Sequence, residues 1–294
     1  MRQGRWEAPA LPPALRTPML VVAVAGLLTL VVLAVVFAGS SEPGGFDRWA
    51  HETVTDPPAP WYDVALVIDF GGEPVGAAIL VAMVTGACVL AGRLRLAVLA
   101  VAGPCLCVAV TTGLKPLVGR TINGDYLSFP SGHTALLTSV ALVLGLLVAD
   151  LVAERRGERT AGASVGVPGG AGARAMGAVG GADAGGAGAA GAGAVDVAAG
   201  GGGAGGGAGA VDVAAGGGGA GGGFLGAVTV YGLGLGLGAA MAWAQIALNA
   251  HYPTDTLGGF ATALVGVPGV ALALDARVLH PGRRDPHSGR RDPR

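Results

Sequence analysis

Two short polar clusters interrupt long apolar runs in this chain of 294 residues, and each brings together side chains capable of chemistry. The first runs from Lys115 to His133, KPLVGRTINGDYLSFPSGH, and the second is His251-Tyr-Pro-Thr-Asp255. The chain has one lysine, seventeen arginines and five histidines, so Lys115 and His133 place two rare types at the ends of one segment. Hydrolysis of a phosphate ester needs cations and backbone N–H groups on the non-bridging oxygens. It also needs an in-line nucleophile and an acid for the leaving oxygen. Lys115 and Arg120 are cations. Ser128 reads as a helix cap with Pro130 in the first turn. Ser131, Gly132 and His133 then occupy a helix N-terminus, where free N–H groups favour an anion. Gly132 lets a phosphate approach the backbone closely. His251 and Asp255 are four residues apart, and a carboxylate near one ring nitrogen makes the other a better nucleophile or base.

Each feature also has a plain structural reading. A cation at the end of a span usually sets topology, a histidine before a proline-started helix is often a cap, and Pro-Ser-Gly is a common helix start. Their conjunction carries weight only if the surrounding elements bring both clusters to one place.

Those elements are membrane spans. The chain is 52% hydrophobic and 13% charged, against about 25% charged in soluble domains. Met19–Ala38 is long enough to cross a hydrocarbon core of ~30 Å and is read as an uncleaved anchor rather than a signal peptide. Residues 39–60 are polar, and Trp61–Phe70, interrupted by Asp63 and Asp69, is expected at the interface. Further spans are expected at Val75–Ala91, Leu96–Leu114, Thr134–Leu151, Phe224–Leu248 and Thr256–Leu274. The fold class is all-α, a bundle of six transmembrane helices in two parts, 19–156 and 224–276. Between them lies a Gly/Ala-rich stretch, 157–223, in which AGAVDVAAGGGGAGGG occurs twice. With little to bury it is expected to be a disordered linker. Residues 1–18 and the basic tail 277–294 complete the chain. Cys88, Cys105 and Cys107 fall in apolar runs and read as buried hydrophobes. Six crossings put fifteen basic residues on the face of the termini and three on the other. The positive-inside rule then makes both termini cytoplasmic and both polar clusters extracytoplasmic.

On these residues the chain resembles the type 2 phosphatidic acid phosphatases, which share an active site with vanadium haloperoxidases. Pro130-Ser-Gly-His133 matches one family motif in full, Lys115 matches the lysine of another, and His251 and Asp255 match a third. The resemblance implies that His251 is a nucleophile forming a phosphohistidine, oriented by Asp255, and that His133 is the general acid. It implies that Lys115, Ser131 and Gly132 bind phosphate, and it implies no metal or other cofactor. Two positions depart from the pattern. Ile122-Asn123 stands where Arg-Pro is expected, and Ala244-Gln245 where Ser-Arg is expected. Arg120 and Asn123 are the substitute phosphate ligands in the first case, and Gln245 a neutral one in the second. The expected function is a lipid phosphatase of the plasma membrane, acting on a polyprenyl diphosphate or phosphatidic acid type of ester. The alternative is a catalytically weak or inactive relative that binds lipid phosphate or scaffolds partners. Nucleic acid is not an expected partner.

Overall fold

Proline and glycine punctuate the apolar runs and fix where helices begin and end. In the computed structural model, which describes residues 8–164 and 220–279, α1 (Pro13–Val36) begins on a proline. So do α4 (Pro74–Leu90) and α8 (Pro253–Leu279), each placing a missing N–H where a helix has no use for one. Between α1 and α4 come two short helices, α2 (Gly45–Val54) and α3 (Trp61–Phe70). α5 (Leu94–Val118) stops at Gly119, whose φ of 64° is the left-handed conformation that closes a helix. α6 (Gly132–Ser164) and α7 (Ala220–Ala247) complete the helices among the described residues. The fold is all-α apart from a small hairpin, β1 (Thr121–Ile122) paired antiparallel with β2 (Tyr126–Leu127).

Five helices, α1, α5, α6, α7 and α8, are long and apolar enough to cross a membrane. α4 has 17 residues, about 25 Å at helical rise. It reaches a span's length only together with α3, from which it is bent by 66°. The expected six-span layout therefore holds with one broken member. Trp61–Phe70 is a helix, as its apolar character allows, and Asp69 lies in its last turn beside the bend. α6 continues past the expected end of the fourth span at Leu151. The expectations for the interior of the Gly/Ala stretch, for residues 1–7 and for the basic tail from 280 onward lie outside the described residues.

The outside of the bundle is greasy. Leu20, Val21, Val24, Leu28, Val31 and Val35 of α1 are all more than half exposed. A continuous apolar face of this kind would be an aggregation surface in water and needs no cover in lipid. This is a multi-pass membrane protein. At one end of the bundle Phe46, Trp49, Trp61, Tyr62 and Tyr126 are also exposed, the placement of an aromatic belt at headgroup level.

Lipid supplies no hydrophobic drive between helices, so close packing depends on small residues. A Cβ on Gly145 would strike the backbone of Val230, which brings α6 against α7. One on Gly26 would press on the Ala261 carbonyl and Leu264, which brings α1 against α8. α6 is the most enclosed span, with Leu142, Val143 and Leu146 fully buried.

The end of the bundle opposite the aromatic residues is pinned by Asp275. Its carboxylate accepts from the N–H groups of Ala10 (2.8 Å) and Leu11 (3.1 Å) and from Arg95 Nη1 (3.2 Å), with Arg16 at 3.7 Å. Arg93, two residues before Arg95, pairs with Asp150 and Glu154 of α6. Asp275 and Arg95 are both nearly shut from solvent, and removing one partner of such a pair strands the other. Asp275→Ala is expected to cost about 3–5 kcal/mol, read as a lower unfolding temperature in detergent. Asp275→Leu combined with Arg95→Met should recover most of the loss.

Candidate functional site

The site begins where α6 begins. Ser131 is the residue before the helix, and its Oγ accepts from the Thr134 N–H (3.4 Å) and the Thr134 hydroxyl (3.2 Å). Ser131 is therefore the cap expected of Ser128, and Pro130 lies outside the helix rather than in its first turn. Ser128 instead donates its N–H to the Arg120 carbonyl at 2.9 Å and so holds the ends of the hairpin together. Gly132 and His133 become the first two residues of α6, whose N–H groups have no acceptor within the helix. The Ser131 N–H donates to the Asp255 carbonyl at 2.9 Å. A Cβ on Gly259 would collide with the Ser131 carbonyl, so only glycine lets the first turns of α6 and α8 sit this close. The two polar clusters of the sequence thus meet through their backbones.

Arg120 was expected to hold phosphate and does something else. It is completely buried. Nη1 donates to Thr254 Oγ1 and Asp255 Oδ1, and Nη2 to Asp47 Oδ2, each at 2.6 Å. Asp47 in turn accepts from the N–H (2.9 Å) and hydroxyl (2.7 Å) of Thr254. The guanidinium lies over the ring of Phe37 at 3.8 Å and faces that of Tyr252 at 4.9 Å. Its charge is matched by two buried carboxylates, and the aromatic rings shield its faces. Arg120 is a clamp on Asp255.

Asp255 is fully buried, and its second oxygen accepts the Tyr252 N–H at 3.0 Å. His251 Nδ1 lies 3.7 Å from this Oδ2, an ion-pair distance rather than a hydrogen bond. Burial pushes the His251 pKa below its ordinary value. Asp255 pulls the other way, while the nearby charges of Lys115 and His133 add to the fall. Lys115 and His133 are thus near enough for their charges to bear on His251. Lys115 stands in the last turn of α5, where a cation suits the helix dipole. Among the described residues it has no ion-pair partner.

His133 has neighbours that the sequence reading passed over. Its Nε2 lies 3.8 Å from Asp69 Oδ1 and 3.7 Å from Glu73 Oε1. These residues come from the bend between α3 and α4, whose Gly72 packs so tightly that a Cβ there would collide with the edge of the His133 ring. Gln245, almost fully buried, donates its amide to the same Asp69 oxygen and also meets Met241 Sδ at 3.8 Å. Gln245 is thus part of the site, aimed at a carboxylate. Asn123 is not: at the hairpin tip, with φ 51°, it donates to the Asn249 carbonyl at 2.8 Å and ties the hairpin to the loop before α8. Asp69, Glu73 and His133 present three ligand-type atoms within 4.8 Å of one another, a grouping suited to a metal ion.

Of the residues expected in the site, the structure gathers His133, His251, Asp255, Lys115, Ser131, Gly132 and Gln245. It assigns Arg120 and Asn123 to holding the site's walls. Asp47, Asp69, Glu73 and Thr254 were not expected there; the three acidic residues signalled only that a carboxylate sat beside an apolar helix, and Thr254 only that it lay within the second polar cluster. Next to the site, between α6, α7 and α8, runs an almost wholly apolar cavity of about 190 Å³ lined by Thr134, Leu235, Ala239, Ala242, Thr256 and Phe260. Comparison with protein-family models, with curated proteins and with solved structures returned no match for this chain.

The clamp predicts an unusual lack of tolerance. Arg120→Lys should destabilise the protein nearly as much as Arg120→Ala, by about 3–5 kcal/mol, because one ammonium cannot span both carboxylates. Unfolding in detergent measures it. His251 predicts a pH effect. Its folded pKa is depressed, so below about 6.5 the unfolded chain binds the proton more readily. Stability should fall as pH drops below that point, and a His251→Gln variant should show a shallower fall in the same melts.

Proposed function

We propose that this chain is an integral membrane lipid phosphatase in which His251 is the nucleophile and His133 the general acid. The reading is carried by one observation. The open N-terminal N–H groups of α6, a lysine with no ion-pair partner among the described residues, a partly exposed histidine and a buried His–Asp pair all sit at the same end of the bundle. Each matches a need of phosphoryl transfer, and few other reactions use all four.

In this mechanism the substrate phosphate rests on the N–H groups of Gly132 and His133, with the Ser131 hydroxyl and Lys115 completing its cradle. Asp255 faces Nδ1 of His251 and leaves Nε2 to attack phosphorus. The depressed pKa keeps that nitrogen unprotonated at neutral pH. As the N–P bond forms, the bond from phosphorus to the lipid oxygen breaks, and His133 gives its proton from Nε2 to the departing oxygen. Water then attacks the phosphohistidine, with His133 taking the proton back, which releases phosphate and restores both rings. Clamping of Asp255 by Arg120 limits how far His251 can wander between these steps.

The cavity between α6, α7 and α8 supports a lipid as the alcohol. Thr134 follows His133 and Thr256 follows Asp255 in the chain, so an acyl or prenyl tail in this groove would present its phosphate to the site. The exposed aromatic residues at the same end support a depth at which headgroups are met in place. The excess of arginines toward the other end supports a site at the outer face of the plasma membrane with both termini cytoplasmic. The substrate class is a polyprenyl diphosphate or a phosphatidic acid.

One observation favours the reading of a lipid-phosphate binder without turnover. Gln245 occupies a position where the resembled family has an arginine, and its amide is held by Asp69 rather than left open. Phosphate release from a panel of lipid phosphates in detergent separates the two. The phosphatase reading expects turnover that vanadate inhibits and that His251→Ala lowers by on the order of 10³-fold or more. Undiminished release by that variant rules the mechanism out. Tight binding of lipid phosphate with no release, and release on Gln245→Arg, would establish the binder instead.

A further inference from the structure

The bend between α3 and α4 presents its acidic side chains to His133 without cationic company. Asp69 and Glu73 face the imidazole, and among the described residues neither pairs with a lysine or arginine. His133 Nε2 is enclosed and has no hydrogen-bond partner, although two carboxylate oxygens lie 3.7 and 3.8 Å away. That separation is too long for a hydrogen bond. It is the separation of neighbouring donors around a shared ion, since ligands about 2.0–2.2 Å from zinc sit roughly 3–4 Å from one another.

We propose that Asp69, Glu73 and His133 bind a divalent transition-metal cation of the zinc class, and that its binding switches the site off by occupying Nε2 of His133. One imidazole nitrogen with two carboxylate oxygens is a donor set that zinc accepts, with a remaining position for water. The surroundings hold the donors in place. The amide of Gln245 donates to Asp69, as outer partners of metal ligands do. The absence of a side chain at Gly72 lets the ring close on the loop that carries Glu73. Glu73 makes no cap bond to its own helix, so its carboxylate is at liberty to bind. The inhibitory consequence rests on the acid role proposed for His133, because one nitrogen cannot hold a metal and deliver a proton together. The binding itself does not rest on that role.

The full chain, purified in detergent and stripped with chelator, is titrated with Zn²⁺ by calorimetry and with Co²⁺ by absorption, alongside assay of lipid phosphate release. One equivalent of Zn²⁺ per chain is expected, with release falling in step with occupancy. Glu73→Gln should weaken that binding at least tenfold and shift the inhibition curve equally, with inhibition read as a fraction of the variant's own release in the absence of Zn²⁺. Asp69→Asn should weaken binding likewise. Zn²⁺ bound equally well by wild type and both variants, or not bound by the wild type, overturns the site. Release that is brisk and unmoved by Zn²⁺ overturns the switch and leaves the phosphatase standing. Binding that depends on Glu73 in a protein that releases no phosphate keeps the cation site and removes the phosphatase.

Discussion

A guanidinium with no access to water is tolerable only when its donors and its charge are answered nearby, and around Arg120 that requirement draws one end of the bundle together. The residue lies just before the hairpin. Its partners come from α2 (Asp47) and the first turn of α8 (Thr254, Asp255), and its aromatic cover from the ends of α1 (Phe37) and of the α7–α8 loop (Tyr252). Segments far apart in the chain are thereby fixed by one side chain. Asp255 is held on one oxygen by Arg120 and on the other by a backbone N–H, so its position toward His251 is set before any ligand arrives. Preorganisation of this kind is what a phosphoryl-transfer site needs from its scaffold.

The two histidines inherit opposite surroundings from the same architecture. His251 is enclosed beside a carboxylate already neutralised by a cation. His133 is partly open, beside two carboxylates that lack one. A pair of identical side chains in unlike electrostatic settings can divide nucleophile from acid without a change of residue type. The α3–α4 bend makes the difference, because a straight span would carry Asp69 and Glu73 into the bundle or away into lipid.

The spans were legible because ~20-residue apolar runs bounded by proline, glycine and arginine admit little else. His133, His251 and Asp255 were legible because ionisable groups at span ends are scarce. The small hairpin was missed even though Asn123-Gly124, with positive φ at both residues, is a strong turn signal. Arg120 was misplaced for a physical reason: sequence shows that a residue is charged, not whether that charge faces a ligand or a buried carboxylate. Asp47, Asp69 and Glu73 were invisible as site residues because each is one acidic side chain in a polar loop or a short helix. Only the packing of α2 and the bend after α3 gives them partners. Gln245 was identified by position alone, and its contact with Asp69 could not be read from spacing.

Stability and site geometry have the same source in this bundle. Between apolar helices in lipid, neither hydrophobic burial nor chain length fixes how far one span slides along another. Register is instead set by glycines that admit one depth of contact and by polar clusters at the two ends. Asp275 with Arg95 and the N-terminal backbone locks α8 to α5 at one end, and Arg120 with Asp47 and Asp255 locks it at the other. α8 is held between these locks while Gly259 seats its first turn against the cap of α6. A slide of one residue would move Asp255 by ~1.5 Å, more than a hydrogen bond to Arg120 can absorb. The interactions that keep the bundle folded are therefore the ones that hold His251 and His133 at the mouth of a common site.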